Sequence, residues 1–253
     1  MVHKRKKAKK NGGYRDITCP NEELKSLLRQ INKMILSQFT LHKFLFLQPG
    51  CNHIKMLSQF SGSKFLIAAD IDDFYPTIHP AMVAKTLTGL NFDNPTVKLI
   101  TRIITFDFEL PQGFPTSPKI AALTLNPVII RLDGLAGKEA FRIGLYADNL
   151  VIGSDFNPER FQRLFVKIFR QNGFLLDEFE VFNNKSPREL MGIEVYPKLK
   201  VNQRYVEAVK HEIVEYKKDL KGSYKSIKGK IDYIAYVNPQ QAADLKRMVK
   251  DLD

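Results

Sequence analysis

The alternation of apolar and polar residues predicts two strands that each bring an aspartate to the end of a sheet. Residues 64–71 form an apolar run that reaches an acidic stretch at Asp70. Residues 141–153 are apolar on both sides of Asp148 and Asn149, which is the pattern of a hairpin with a tight turn. A single aspartate in a turn commonly serves only the turn, because its side chain bonds the local backbone. Two such strands with carboxylates at one sheet edge instead indicate a metal site.

The remaining pattern surrounds these strands with helices. Spacing and capping residues predict helices over residues 21–35, 80–87, 95–104, 117–132 and 157–173 and in the part from residue 201 on, and strands over residues 106–110 and 175–182. Residues 40–63 lack a clear period and are predicted to be a loop with short pieces of structure. The first helix is expected to bury Leu24, Leu27, Leu28, Ile31, Met34 and Ile35. Ser117 is expected to cap the fourth helix.

The predicted order of elements defines a topology. Strand, helix, strand, strand, helix, strand is the split βαβ arrangement, an antiparallel sheet with two helices on one face. In this topology the first strand and the hairpin can lie side by side, so Asp70 and Asp148 can meet at one sheet edge. Many unrelated proteins use this fold, so the topology alone does not define a function.

The charge balance indicates a polyanionic partner. The 253 residues include 39 Lys and Arg against 27 Asp and Glu, for a formal net charge of +12. A basic run near the N-terminus is expected to be either a solvated tail or an arm that contacts phosphates, and both alternatives stay open. Its cations are Lys4, Arg5, Lys6, Lys7, Lys9 and Lys10.

Cysteine usage and hydropathy bear on where the protein works. Neither Cys19 nor Cys51 belongs to a CxxC pair, so neither a disulfide framework nor a thiolate zinc site is indicated. No apolar run approaches the length of a membrane span, and no apolar segment of a secretory signal follows the basic N-terminus. We therefore expect a cytoplasmic protein that does not insert into membranes.

Paired carboxylates in a basic protein favour one kind of chemistry. Carboxylates held close together repel each other, and a divalent metal is the usual reason for such an arrangement. Mg²⁺ prefers oxygen ligands and is commonly held by one or two carboxylates together with substrate phosphates. Two such ions can activate an attacking hydroxyl and stabilise the leaving oxygen of a phosphoryl displacement. The combination predicts nucleotidyl transfer on nucleic acid.

Several segments, in order along nearly the whole chain, resemble the motifs of reverse transcriptases, particularly the bacterial retron-like and defence-associated group. They are residues 70–75 (DIDDFY), 110–118 (LPQGFPTSP), 146–149 (YADN), 183–186 (NNKS) and 190–193 (LMGI), with residues 227–239 similar to the start of a thumb. The proline-rich loop at 110–118 is the most specific match. The resemblance implies an α+β right-hand polymerase with a split βαβ (ferredoxin-like) palm, fingers and a short helical thumb. The implied fingers are residues 1–63 and 79–110, with a basic tail over 1–12; the palm is 64–78 and 111–196, and the thumb is 197–253.

The resemblance also implies a metal site and its partners. Asp70, Asp148 and the backbone carbonyl of Ile71 would hold Mg²⁺ or Mn²⁺. The substrates would be deoxynucleoside triphosphates, an RNA template and a DNA or RNA primer. Gly192 lies in the segment that resembles the primer grip. The implied setting is a bacterial retroelement or an antiphage defence system, and the short thumb suggests a need for a structured noncoding RNA, a protein partner or a homo-oligomer.

Residues that would contact the nucleotide follow from the same resemblance. Tyr75 would lie under the sugar and exclude a 2′-hydroxyl, while Gln112 and Gly113 would shape the pocket around the base pair. Lys185 would lie near the pyrophosphate, as a cation or a proton donor. Arg15 resembles the fingers arginine that contacts the triphosphate, with a contact to the nucleic-acid backbone as the alternative.

One departure from the family pattern leaves the activity open. Asn149 stands where the second aspartate of the YADD box is expected. Its amide oxygen can ligate a metal but carries no charge, so affinity for the second ion should fall. The favoured interpretation is an active polymerase. The alternatives are a template-independent or protein-primed polymerase of the same fold and a non-catalytic RNA-binding scaffold.

Overall fold

A computed structural model describes residues 2–8, 12–183, 185, 188–219 and 222–250 of the chain. Lys9 and Lys10, and Asn184 and Ser186 of the lysine-containing motif, lie outside the described residues. The strands are β1 (Val2–Ala8), β2 (Tyr14–Pro20), β3 (Phe65–Ile71), β4 (Arg142–Tyr146), β5 (Asn149–Ser154), β6 (Leu176–Asn183), β7 (Glu189–Leu190), β8 (Ile193–Glu194) and β9 (Lys200–Val201). The helices are α1 (Glu22–Met34), α2 (His53–Ser58), α3 (Phe74–Thr77), α4 (Pro80–Gly89), α5 (Asn94–Ile104), α6 (Ser117–Thr124), α7 (Asn126–Glu139), α8 (Gln162–Arg170), α9 (Gln203–Asp219), α10 (Tyr224–Val237) and α11 (Pro239–Val249), with short 3₁₀ turns at Leu36–Gln38 and Glu159–Phe161.

A four-stranded antiparallel sheet in the order β4-β5-β3-β6 forms the centre of the molecule. The first strand of the split βαβ unit, β3, therefore lies between the second hairpin strand and the last strand, as the predicted topology requires. The α+β class and the placement of the first strand beside the hairpin, both inferred from the sequence, are confirmed. In this register Asp70 of β3 is opposite Asn149 of β5.

Both faces of the central sheet are covered over most of its area. Ile67, Ala69 and Ile71 of β3 face a core that includes residues of α6, α7 and α8. Leu66, on the opposite face, joins a second core built with α2 and the three C-terminal helices. Successive residues of a strand point to opposite faces, and no position of β3 is fully exposed, so apolar residues occupy both of its faces.

Over residues 2–8 the basic N-terminal run is a paired strand and not a free tail, although its side chains from His3 to Ala8 are exposed. The alternative of an arm that contacts phosphates stays a prediction. β1 pairs along its whole length with β2, from Val2 opposite Pro20 to Ala8 opposite Tyr14. Gly12 and Gly13 have positive φ angles of 88° and 78° in the connection between them.

Other sequence predictions are corrected in detail. Residues 106–110 form a turn closed by one bridge between Phe106 and Glu109 instead of a strand. The predicted helix over 117–132 is two helices, because Pro127 lacks the N–H that would continue the first one. The N-cap of α6 is Thr116, one residue before the expected Ser117. On α1, Leu27 and Met34 were expected to be buried and are instead exposed.

Within the described residues, no single helix has the length and apolar composition to cross a membrane. The helices α6 and α7 meet that test only when they are taken together, across a 52° bend.

Candidate active site

The β4–β5 turn and the end of β3 bring Asp70 and Asp148 to one edge of the sheet, as the topology predicted. Ala147 enters the turn with a positive φ of 56°. The backbone N–H of Ile71 donates to the carbonyl oxygen of Asp148 at 2.8 Å, which ties the turn to the end of β3. The Asn149 side-chain amide donates to a carboxylate oxygen of Asp148 at 2.9 Å. The local backbone therefore places two carboxylates and one amide side by side.

The Asp70 carboxyl is in an environment that disfavours its charged form. Burial, as the largest cause, and the neighbouring charges of Asp148, Glu178 and Asp177 together raise its pKa to about 6. Burial and like charges both penalise a carboxylate that has no counter-ion. A cation at this edge would remove that penalty, so the electrostatics fit a bound metal.

The donors at this edge are of the kind that Mg²⁺ accepts. Within the described ranges, no group of three or more His, Cys, Asp and Glu side chains is arranged to hold a metal by itself. Asp70 and Asp148 supply two carboxylates, and Ile71 follows Asp70 and donates its backbone N–H to the carbonyl oxygen of Asp148. Mg²⁺ keeps several waters and is often held by one or two carboxylates plus substrate phosphates, so this set fits such a site only in the presence of substrate.

Tyr75 lies within electrostatic reach of the β4–β5 turn. It is the second residue of α3, and its ring centroid is 5.3 Å from that of Phe74. Burial, as the largest cause, together with Asp148 and Tyr146 raises its pKa to about 12. The phenol is therefore neutral at physiological pH and presents a partly buried ring beside the carboxylates.

The proline-rich loop and the N-terminal hairpin are joined through Gln112 and Gly113. The N–H of Thr18 on β2 donates to the carbonyl oxygen of Gln112 at 2.7 Å. Gly113 has a positive φ of 120°, and a Cβ there would lie 2.5 Å from the Thr18 carbonyl oxygen. Ser117 fixes the other side of the loop by donating its hydroxyl to the Pro111 carbonyl oxygen at 2.7 Å. A side chain at position 113 would separate the two segments.

Pairing in the hairpin divides its cations between two faces. Lys4 forms a 2.8 Å ion pair with Asp107, and Lys6 stands opposite Asp16. Directly opposed residues share a face of an antiparallel pair, and alternate residues face opposite ways. Arg5, Lys7 and Arg15 therefore share the other face, because Lys7 is opposite Arg15. None of these three has an ion-pair partner in the part of the chain that the structure describes.

Two other predicted site residues are less closely tied to the carboxylates. Lys185 is exposed, and no hydrogen bond or ion pair joins it to another described residue. Gly192 has a positive φ of 81° and forms the β7–β8 turn with Met191. Their roles stay predictions.

Sequence reasoning missed an acidic cleft over Asp70. Its volume is about 290 Å³, and its walls include Asp70 and Asn149 together with Glu178, Glu180 and Glu189. The signal was present, because acidic and apolar residues alternate along β6 and so place Glu178 and Glu180 on one face.

Sequence reasoning also missed an aromatic contact that links the C-terminal helices, through His53 of α2, to the β4–β5 hairpin. The His53 ring centroid is 5.6 Å from that of Tyr146, and His53 Nε2 is 3.3 Å from the hydroxyl of Tyr233 on α10. Burial lowers the pKa of His53, which favours its neutral form. No spacing in the sequence links residues so far apart along the chain.

The fold and the paired carboxylates are those of the palm of a nucleic-acid polymerase. The family described as "Reverse transcriptase (RNA-dependent DNA polymerase)" matches residues 4–186. This match covers most of the chain, and the chain belongs to that family.

Curated relatives confirm the resemblance to retron enzymes. The retron Mx65 reverse transcriptase of Myxococcus xanthus is 25% identical, over 96% of this chain and 62% of the relative. The retron Ec86 reverse transcriptase of Escherichia coli is 27% identical, over 55% of this chain and 44% of the relative. The chain thus spans less than two thirds of the length of these relatives.

Solved structures agree at the level of the fold. Apo telomerase from Candida tropicalis aligns with a TM-score of 0.62 at 10% identity, over 98% of this chain and 59% of the telomerase chain. Telomerase from Candida albicans, in complex with a fragment of telomeric RNA, aligns with a TM-score of 0.60 at 11% identity, over 98% and 56% of the two chains.

Proposed function

We propose that the chain is an RNA-directed DNA polymerase that extends a primer with deoxynucleoside triphosphates, in a bacterial retroelement or antiphage defence system. The observation that carries the proposal is the meeting of Asp70 and Asp148 at one sheet edge, beside Tyr75. The family match and the retron relatives support it.

The metal is proposed to be Mg²⁺, with Mn²⁺ as the alternative. Asp70, Asp148 and the carbonyl of Ile71 would hold it. The bound ions would activate the primer hydroxyl and stabilise the leaving oxygen of the displacement. The side-chain amide of Asn149 donates to the Asp148 carboxylate, which leaves the Asn149 amide oxygen available as an uncharged ligand for a second ion.

The incoming nucleotide would be held from the two sides of the site. Arg5, Lys7 and Arg15 on one face of the hairpin would contact its triphosphate, since cations without acidic partners are available to phosphates. Gln112 and Gly113 would place the base pair, because their backbone is fixed against β2. Tyr75 would lie under the sugar, and Lys185 would approach the pyrophosphate.

The domain bounds and partners follow from the same function. Fingers over 1–63 and 79–110, a palm over 64–78 and 111–196 and a thumb from 197 on would enclose an RNA template with a DNA or RNA primer. Gly192, in the β7–β8 turn, would contact the primer. The thumb is short, so we expect help in holding the template and primer. It would come from a structured noncoding RNA, a protein partner or a second copy of the chain. The expected location is the cytoplasm.

Asn149 is the observation that favours the scaffold alternative. A side chain that donates to Asp148 instead of adding a carboxylate weakens the second metal position. A silenced site would then leave a protein that binds RNA without synthesis.

Primer extension on an RNA template, with Mg²⁺ or Mn²⁺, tests the proposal. We expect metal-dependent DNA synthesis by the wild type and none by Asp148→Ala. Asp72→Ala is the matched control, since Asp72 is an exposed acid at the same strand end, and it should remain active. Asn149→Asp should lower the metal concentration needed for half-maximal synthesis by about tenfold, because it restores a charged ligand.

Two outcomes would contradict the proposal. Synthesis that survives Asp148→Ala would remove the carboxylate pair from the chemistry. Synthesis by Asn149→Asp but not by the wild type would favour the silenced scaffold.

A further inference from the structure

The outward face of α8 carries a stripe of three cations that the proposed polymerase activity does not use. Arg163, Lys167 and Arg170 are exposed and lie three and four residues apart, so they share one side of the helix. Seven residues of helix span about 10 Å. A shallow depression of about 660 Å³ runs beside the stripe, lined by it and by Gln162, Val166 and Gln171.

No acid neutralises this stripe. The nine residues of α8 include neither Asp nor Glu. Within the described residues, none of the three cations has an ion-pair partner, although other arginines near this side of the molecule do. Arg160 lies 3.6 Å from Glu139, and Arg142 lies 2.9 Å from Asp155. The charge of the stripe is therefore available to an external anion.

The stripe faces away from the candidate active site. The opposite side of α8 buries Phe165, Ile168 and Phe169 in the core that contains Ile67 and Ala69 of β3. Asp70 belongs to the other face of β3, where the acidic cleft opens. A nucleic acid held at the stripe and a primer–template held at the cleft would lie on opposite sides of the sheet.

The dimensions and composition of the stripe fit a nucleic-acid backbone. Phosphates of one strand of a nucleic-acid duplex follow each other at about 3 Å along the axis, so the stripe spans roughly three phosphate steps. The amides of Gln162 and Gln171 flank the cations, and Gln171 also accepts from Arg131 at 2.6 Å. A membrane-binding helix would instead expose a large apolar face, whereas here the aromatic residues of α8 are buried.

We propose that the outward face of α8 is a second RNA-binding surface, which grips the phosphate backbone of a double-stranded region in a structured RNA. The surface is separate from the site that holds the primer and template. The inference rests on the proposed function only in taking RNA as the nucleic acid that this chain binds.

Binding of a closed RNA dumbbell, a duplex with a loop at each end and no free 3′ end, tests this surface. Such an RNA offers no primer terminus. The variant R163Q/K167Q/R170Q should bind it at least about tenfold more weakly at 0.1 M salt. The slope of log K against log salt should become shallower by about 2 to 3, since each duplex phosphate contact contributes about 0.9.

A variant with the same loss of charge elsewhere is the control. K85Q/K98Q/R102Q removes three exposed cations from α4 and α5, and none of them has an ion-pair partner among the described residues. This control variant should change the slope of log K against log salt by less than half as much as R163Q/K167Q/R170Q does. Equal effects of the two triple variants would overturn the proposal, because they would show a response to net charge alone.

Two further measurements distinguish RNA binding at the stripe from binding of acidic protein and from a loss of polymerase activity. If polyglutamate displaces the dumbbell at an equal concentration of charges, the stripe recognises acidic protein and the RNA proposal fails. Primer extension on a short primer–template should be the same in the stripe variant and the wild type. If the wild type makes no DNA while the stripe variant still loses dumbbell binding, the proposed polymerase fails and this inference stands.

Discussion

The two faces of the central sheet use the same strands for different purposes. On the helix side, Ile67 and Ile152 are fully buried against the core formed with α6, α7 and α8. On the other side, the C-terminal helices and α2 cover Leu66, but the end of the strand at Asp70 is left open. Both faces therefore contribute buried packing, and the candidate chemistry is located where the cover of the second face ends.

The difference between the faces is also electrostatic. We call the face covered by α6, α7 and α8 the helix face, and the face that carries Asp70 the open face. The helix face presents apolar side chains, whereas the open face gathers Asp70, Glu178 and Glu180 around one cleft. Without a cation, this crowding disfavours the charged form of Asp70. A binding site of this kind lowers the free energy of unfolding of the metal-free protein. Binding of a cation raises that free energy again.

The largest effect is expected on the helix face. Phe165→Ala should lower the free energy of unfolding by about 3–5 kcal/mol, because it leaves a cavity in a close-packed core. Phe165 is fully buried, and its ring centroid is 5.5 Å from that of Phe141. Urea denaturation measures the loss. The neighbouring Leu164→Ala, at a position 36% exposed, should cost under about 1 kcal/mol, and equal losses would contradict the comparison.

On the open face, a substitution should have the opposite sign. Without divalent metal at pH 7.5, Asp70→Asn should raise the free energy of unfolding by about 1 kcal/mol, while DNA synthesis is lost. The reason is that the folded protein raises the pKa of Asp70 from 3.8 to about 6. Stability from this group is thus present at low pH and is lost as pH rises through about 6.

The pH dependence provides the check. The advantage of Asp70→Asn over the wild type should shrink as pH falls from about 6 to about 4, because the wild-type carboxyl then becomes neutral. The exposed neighbour Asp72→Asn should stay within about 0.5 kcal/mol of the wild type across this range. A constant difference between Asp70→Asn and the wild type would show that charge is not the cause.

The central part of the fold was predictable because its sequence signals are local and strong. The apolar run of β3, the hairpin around Asp148 and the proline before α6 each determine one element, and their order gives the topology. The meeting of Asp70 and Asp148 at one sheet edge then follows from the topology, whereas the register that puts Asp70 opposite Asn149 comes from the structure.

The errors occur where tertiary contacts override local preference. The lysines of β1 suggested a tail, but their backbone pairs with β2, and long basic side chains tolerate an exposed strand. The acidic cleft and the contact of His53 with Tyr146 and Tyr233 join distant segments, which no periodicity reveals. The division of the hairpin cations between two faces likewise needs the register.

The smallest effect tests whether the cleft acts as one electrostatic unit. Glu178→Gln should lower the pKa of Asp70 toward its ordinary value, because the Glu178 charge is one of the charges that raise it. Burial and Asp148 contribute more, so the change should be less than about one unit, or under about 1.4 kcal/mol. NMR titration of the Asp70 carboxyl carbon in metal-free buffer measures it.

Glu180→Gln is the matched control for this titration. Glu180 belongs to the same strand and lines the same cleft, but its carboxylate lies 3.9 Å from Arg188. It is also absent from the charges that raise the pKa of Asp70, so its substitution should leave that pKa unchanged. Equal shifts in the two variants would mean that Asp70 senses the total charge of the open face. A shift of the Asp70 pKa in Glu178→Gln alone would mean that Asp70 responds to individual neighbouring charges. A single cation bound beside Asp70 could then stabilise its charged form.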